Sequence, residues 1–371
     1  MNAPGCFSDA FAGRRVLVTG HTGFKGSWLC EWLLALGAEV TGFALPPPTE
    51  PALFNQLGLA ARIRDLRGDV RDLPAVQQAL RTARPDFIFH LAAQPLVRLS
   101  YDQPVETYST NVMGTVNVLE AVRLAGAPCT VVVVTTDKCY ENNGRVHDYR
   151  EDEPMGGHDP YSSSKGAVEL VVSAYRRSYF SAPNSVVRLA SARAGNVIGG
   201  GDWALDRIVP DCIRSLQRGA VIPVRHPRAT RPWQHVLEPL SGYLWLAAQL
   251  QAPSANSGQL AAAFNFGPTP ASSRPVADLV AEVLRHWPGR SEDRSEPGAV
   301  HEAALLSLSI EKARSALAWQ PVWDFAATVA HTVTWYHQVT ADASQAADRT
   351  RQQIASYQTD ARQLKLAWAH E

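Results

Sequence analysis

Seven residues constrain the fold most. Gly20-His-Thr-Gly23-Phe-Lys-Gly26 stands between a short β-branched run, Arg15 to Thr19, and an apolar face continuing at helical spacing through Trp28, Leu29, Trp32, Leu33 and Leu36. The run reads as a buried first strand, and the spacing as a helix that begins inside the turn. A strand, a glycine turn and a helix in that order make a cradle for a pyrophosphate. The glycines permit close backbone approach, and the helix N-terminus offers unpaired N–H groups to negative charge. The competing reading is a tight strand-to-helix turn that holds nothing, which the flanking strand and helix disfavour. Gly20, Thr22, Gly23, Phe24 and Gly26 are therefore candidate cofactor contacts.

Strand and helix patterns then alternate. A second strand spans Glu39 to Phe43, and its tip, Ala44-Leu45-Pro46-Pro47-Pro48, carries no acid to hold an adenosine ribose and no arginine for a 2′-phosphate; the missing phosphate clamp favours NAD. A third, near Ile63 to Arg67, leads into Gly68-Asp69-Val70, where Asp69 is placed to meet the adenine. A fourth, Asp86 to Leu91, runs into Ala92-Ala93-Gln94, small residues against which a cofactor can lie. His90 reads as a packed strand-end histidine. A helix from Val105 to Ala125 carries Asn111, which either bonds backbone or helps hold a water or a catalytic lysine. A fifth strand, Thr130 to Val134, ends in Thr135-Thr136-Asp137-Lys138, and polar groups beyond the carboxyl end of a central parallel strand lie in the ligand crevice. The alternation through Leu189 defines an α/β fold, a Rossmann-type doubly wound parallel sheet with helices on both faces.

Asp159-Pro160 opens another helix with Tyr161-Ser-Ser-Ser-Lys165, so that Tyr161 and Lys165 share one helical face. A free phenol has a pKa near 10, and an adjacent ammonium favours the phenolate, which can take a proton from a hydroxyl. Alone, the pair also fits a surface tyrosine beside a solvated lysine. Lysine is scarce, however: Lys25, Lys138, Lys165, Lys312 and Lys365 are the complete set. An ammonium kept in an arginine-preferring chain points to a specific need.

After Ala190 the rhythm changes. Residues 194–203 form a glycine-rich loop, and Arg225, Arg228 and Arg231 precede Trp233 and Gln234. Arginines beside an aromatic suit a nucleotide diphosphate, by bidentate phosphate contact and base stacking; an exposed basic loop explains Arg225 and Arg228 equally well. The expected division is a cofactor-binding domain over 14–190, rejoined by 236–267, a smaller substrate domain from 191–235 and 268–340, and a C-terminal tail or helix over 341–371.

With 35 basic and 35 acidic side chains, the chain gives no global electrostatic case for nucleic acid or an anionic membrane. Five dispersed cysteines without a CxxC pair argue for reduced thiols and against a structural metal. No leader or membrane-spanning run is evident, so the expectation is a soluble cytoplasmic protein.

Taken together, Thr19 to Gly26, Thr136-Asp137-Lys138 and Tyr161 to Lys165 resemble the extended short-chain dehydrogenase/reductase family, and within it the nucleotide-sugar 4,6-dehydratases. The likeness runs from Arg14 to Tyr336 and includes Gly195-Asn196-Val-Ile-Gly-Gly-Gly-Asp-Trp203 and Arg231-Pro-Trp-Gln-His-Val236. It implies NAD as cofactor, CDP-glucose as substrate, a role in deoxysugar and O-antigen biosynthesis, and a homodimer or homotetramer paired through the helices near 105–125 and 161–180. It also implies roles. Tyr161 takes the 4-hydroxyl proton, Lys165 assists it, Thr136 bonds the same oxygen, and Asp137 protonates the leaving C6 hydroxyl. Asp69, Val70, Leu91, Ala92, Ala93, Gln94 and Asn111 join the glycine turn as cofactor contacts, and Asn196, Arg207, Arg231, Trp233 and Gln234 are the substrate contacts. Lys138 departs from the glutamate that serves dTDP-glucose enzymes as C5 base. It is either a neutral base or an electrostatic partner of the enolate. A 4-epimerase shares the tyrosine, lysine and glycine turn but needs no acid–base pair after the fifth strand; a cofactor-binding sensor or scaffold is the non-enzymatic alternative.

Overall fold

Uninterrupted apolar runs become the central strands: every residue of Phe87–His90 and Cys129–Val134 is buried, as a parallel sheet covered on both faces requires. The computed structural model describes residues 5–142, 144, 147–182, 184–252, 257–295 and 306–370. Its sheet has seven parallel strands: β1 (Arg15–Thr19), β2 (Glu39–Ala44), β3 (Arg64–Arg67), β4 (Phe87–His90), β5 (Cys129–Val134), β6 (Val187–Ala194) and β7 (Ala263–Phe266). The spatial order β7-β6-β5-β4-β1-β2-β3 reverses between β1 and β4, where Thr19 pairs with His90. Such a reversal opens the ligand crevice of a doubly wound sheet.

Alternate strand residues feed two cores. Val16, Val18, Phe89 and Val132 pack with Trp28 and Trp32 of α1 (Phe24–Ala35). Leu17, Ile88, Val131 and Val133 pack with α2 (Leu73–Ala83), α3 (Gly114–Ala125) and α4 (Pro160–Tyr179). The expected single helix over 105–125 is instead Pro104–Tyr108, one π turn at Ser109–Met113, and α3. That turn rotates Asn111 inward, and Gly114 lets the helix approach Val70, whose side chain a Cβ would meet at 2.7 Å.

The chain continues through α5 (Ile208–Gln217), α6 (Leu237–Gln251), α7 (Val276–His286), α8 (Phe325–Ala341) and α9 (Ala346–Gln363). The pattern of α6 suggests an amphipathic helix, yet it buries all but Gln249 and Gln251, because C-terminal segments cover its outer side. The C-terminal helix is also more than a tail. Arg351 of α9 and Arg62 hold the buried Glu31 of α1 at 2.8 and 2.6 Å, and Trp32 meets Tyr357 edge-on. It thereby steadies the helix that carries the glycine turn. All five cysteines are buried free thiols, and no described helix is long and apolar enough to cross a membrane.

Candidate active site

Gly20 turns the chain at φ 74°, and a Cβ there would lie 2.7 Å from the Ala92 nitrogen. A Cβ on Gly26 would meet the Gly20 carbonyl oxygen at 2.2 Å, so turn and helix touch only through glycine. Gly23 caps α1 without any side-chain hydrogen bond, which leaves the first N–H groups to an anion. This fits a dinucleotide pyrophosphate. Thr22 ties the turn to the β2 tip through the Leu45 carbonyl at 3.0 Å, and Phe24 lies half-buried against Gly199. Leu91, Ala92 and Ala93 follow β4, half-buried, with Gln94 buried beyond them.

Around this pocket the Asp69 carboxylate accepts from the Arg71 backbone N–H at 2.8 Å and from its Nε–H at 2.9 Å, while the neighbouring Val70 is buried. The β2 tip, bare in sequence, receives both an acid and an arginine from β3. Asp65 bonds His21 at 2.8 Å and Arg67 at 2.7 Å, and Arg67 also reaches the Leu45 carbonyl at 3.2 Å. Asn111 takes its backbone role, accepting from the Gln94 N–H at 2.8 Å and donating to Ser164 at 2.9 Å. His90 sits between Thr19 and Thr115 at 2.7 and 3.1 Å; burial, with the nearby Lys165 charge, drops its pKa to about 3. It is a neutral packing group.

The polar cluster gathers beyond β5. Asp159 caps α4 by accepting from Ser162 N–H at 2.9 Å, Pro160 fills the first turn, and Ser100 accepts from the Tyr161 N–H at 3.2 Å. Tyr161 is thereby fixed facing Thr136. Burial pushes its phenol up to about 12, against the Thr136 hydroxyl hydrogen-bonded to it and the Arg207 charge. The neighbouring ammonium was expected to depress this phenol; desolvation dominates instead. Lys165 donates to the Val134 carbonyl at 3.3 Å, and burial lowers its pKa to about 8, opposed by Glu169. Thr136 donates to Asp137 at 2.8 Å; Lys138 reaches Asp137 at 3.5 Å and Asn196 at 3.3 Å. Gly195 makes room, since a Cβ there would lie 2.9 Å from the Asp137 carboxylate.

Of the expected substrate contacts, Asn196 and Arg207 join this cluster, Arg207 held by Asp202 at 2.8 Å. Gln234 is buried, donating to the Phe266 carbonyl at 3.4 Å with its side-chain oxygen unpartnered. Trp233 does not form a stacking platform with Arg231. Its ring is 3% exposed, packed in the core, and its indole N–H goes to the Arg274 carbonyl at 2.9 Å.

The family described as GDP-mannose 4,6 dehydratase matches residues 17–332. The chain belongs to this family of nucleotide-sugar 4,6-dehydratases. It is 48% identical to the CDP-glucose 4,6-dehydratase of Salmonella typhimurium, over 87% of this chain and 90% of that one. The NAD complex of Thermus thermophilus UDP-glucose 4-epimerase matches with a TM-score of 0.72 and 25% identity, covering 87% of this chain and 99% of that one. The NAD complex of dTDP-glucose 4,6-dehydratase from Bacillus anthracis matches with a TM-score of 0.72 over 87% of this chain and 96% of that one; at 21% identity it speaks to the fold alone.

Two residues of this dehydratase escaped the sequence reading. Glu169 lies one turn beyond Lys165, buried, and accepts from Thr135 at 2.5 Å, Ser191 at 2.7 Å and Arg193 at 2.9 Å. Spacing was the available signal, since residues 161, 165 and 169 fall four apart on one face. Lys25 is the second, and the scarcity of lysine pointed to it.

Proposed function

We propose that this dehydratase converts CDP-D-glucose to CDP-4-keto-6-deoxy-D-glucose and water. The observation that carries the reading is the meeting of Thr136, Asp137 and the half-buried Lys138 with Tyr161 and Lys165 in one cluster, in a chain 48% identical to a CDP-glucose 4,6-dehydratase. An epimerase has no use for the Asp137–Lys138 pair. NAD, when bound, supplies the hydride acceptor at C4 and the donor at C6. It would rest on Gly20 to Gly26, with Leu91 to Gln94 beneath it.

The residues then divide the proton work. Tyr161 takes the C4 hydroxyl proton, Lys165 stabilises the phenolate, and Thr136 orients the oxygen. The 4-ketone acidifies C5–H. Lys138, as a neutral amine, takes that proton while Asp137, as the acid, protonates the departing C6 hydroxyl. Lys138 returns the same proton to C5 as C6 is reduced, so each turnover leaves Tyr161 with a proton gained and Asp137 with one lost. The Thr136 hydroxyl, hydrogen-bonded to both, offers the path that restores them. Replacing Lys138 with Met should allow reduced cofactor to accumulate while C5 exchange with deuterated solvent stops; continued exchange removes Lys138 as the base.

In the same reading residues 14–190 and 236–267 hold the cofactor and residues 191–235 and 268–340 the sugar nucleotide, in the cytoplasm. The chain pairs with a second copy through the faces bearing Val105, Met113, Leu124 and Leu170, large apolar side chains 78, 52, 54 and 62% exposed. Leu170→Arg should convert the dimer to monomers in light scattering, whereas an unchanged mass sinks that pairing. Comparative turnover on CDP-, dTDP-, UDP- and GDP-glucose, read as alkali-absorbing 4-keto product, tests the whole assignment. A preference for any other nucleotide, or no product from all four, overturns it.

A further inference from the structure

The scarce lysine of the glycine turn has no catalytic task in the scheme above. Lys25 is the second residue of α1, half-buried, and its ammonium donates to the Tyr243 hydroxyl at 3.4 Å while lying 5.7 Å from that ring's centre. Among the described residues no carboxylate lies within ion-pair distance of it. The acid on its own helix, Glu31, is committed to Arg62 and Arg351. The charged groups that face Lys25 are Arg207 from the start of α5, Lys165 from α4 and Asp137 from the loop after β5. Tyr243, on α6, in turn feels the charge of Tyr161. The ammonium thus belongs to the same cluster as Tyr161, approached from the cofactor side.

This cluster carries more positive than negative charge. Lys25, Lys138, Lys165 and Arg207 converge, whereas the facing carboxylates are Asp137 and Asp202, each engaged by a cation, Lys138 and Arg207 respectively. Behind them, Glu169 is matched by Arg193. Lys25 and Lys165 are left with neutral partners, a phenol and a carbonyl oxygen. Unbalanced buried cations repel one another, and an anion entering between them relieves the repulsion.

Resting on the proposed function, we infer that Lys25 is an anion-binding residue whose ammonium engages a diphosphate, from the dinucleotide or from the nucleotide sugar, and that it takes up a proton as the diphosphate arrives. Burial, with Arg207 and Lys165, lowers its pKa to about 7. A diphosphate favours the charged form and raises that value. Above pH 7 the free side chain is mostly neutral and the bound one charged, so binding consumes a proton. Below about pH 6 both forms are charged and the uptake disappears.

The test is calorimetric. NAD is titrated into cofactor-free chain, and CDP into chain saturated with NAD, at pH 8 in buffers of differing ionisation enthalpy, whose slopes count protons exchanged. The expected result is an uptake approaching one proton in at least one arm, which identifies the diphosphate that Lys25 meets. Lys25→Met should abolish that uptake and weaken binding in the same arm by about tenfold, the loss of one charge-assisted hydrogen bond. Lys25→Arg should keep the affinity without the uptake, because a guanidinium stays charged throughout. Its retained affinity separates this role from misfolding. Unchanged uptake in Lys25→Met, or Met-variant affinity within about twofold of the parent in both arms, overturns the inference. Neither reading requires turnover, so a failure of the CDP-glucose assignment would show separately, as absent product.

Discussion

Tyr161→Phe should reduce turnover of CDP-glucose by about 10²- to 10⁴-fold, the range expected when a positioned proton acceptor is removed. The phenyl ring keeps the volume that fills the end of α4, and among the described residues the hydroxyl's side-chain hydrogen bond is to Thr136. Melting temperature and NAD binding should therefore stay at parental values while formation of the 4-keto product falls. The same site predicts the pH profile. Lys165 is charged below its folded pKa of about 8 and loses that charge above it. The support it gives the phenolate is therefore present at neutral pH and withdrawn on the alkaline side. A plot of kcat/KM, which reports the free enzyme, should decline above about pH 8 in the parent. Lys165→Met should lower the whole curve and erase that decline. Parental turnover by Tyr161→Phe would remove the phenol from proton transfer.

Much of this architecture is legible in the sequence because its signals are local. The strands β1, β4 and β5 announce themselves as apolar runs, and the glycine turn carries its own reason for being glycine in the 2.7 and 2.2 Å approaches at Gly20 and Gly26. The Tyr161 to Lys165 pair is likewise a property of one helix. What stays hidden depends on neighbours far along the chain. Asp65 and Arg67 reach the tip of β2 because β3 lies beside β2, with Gly42 opposite Asp65 and Ala44 opposite Arg67. Trp233 looks like a stacking platform until β6, α6 and the C-terminal helices are assembled around it. The polar surface of α9 conceals Tyr357 and Ile354, whose burial places that helix in the core. A phenol pushed to about 12 could not be foreseen either, since desolvation is a property of the whole packed cluster.

Glu169 makes the same point energetically and carries the largest expected stability change. Its carboxylate, buried on α4, is matched by Arg193 on β6, which also donates to the Tyr140 hydroxyl at 2.6 Å; Tyr140 in turn donates to Asn265 of β7 at 2.7 Å. Burial alone would raise the Glu169 pKa, but Arg193, Thr135 and Ser191 together hold it below the ordinary value. Arg193→Met leaves that charge buried and unmatched, so the fold should lose about 3–5 kcal/mol, read as a lowered urea midpoint. Glu169→Gln combined with Arg193→Met removes both charges and should recover a large part of the loss; equal losses in single and double variants would deny the coupling. The pH dependence has a fixed sign. A carboxylate with a depressed folded pKa contributes stability above its unfolded value of about 4.3, and the contribution disappears as pH falls through the folded value. In Arg193→Met that depression is lost and burial raises the Glu169 pKa, so the variant's stability deficit should shrink as pH falls and the carboxyl takes up its proton. Because Glu169 accepts from Thr135, next to Thr136, the variant should also lose turnover beyond what its unfolded fraction explains. Turnover that tracks the folded fraction alone would confine Glu169 to the scaffold.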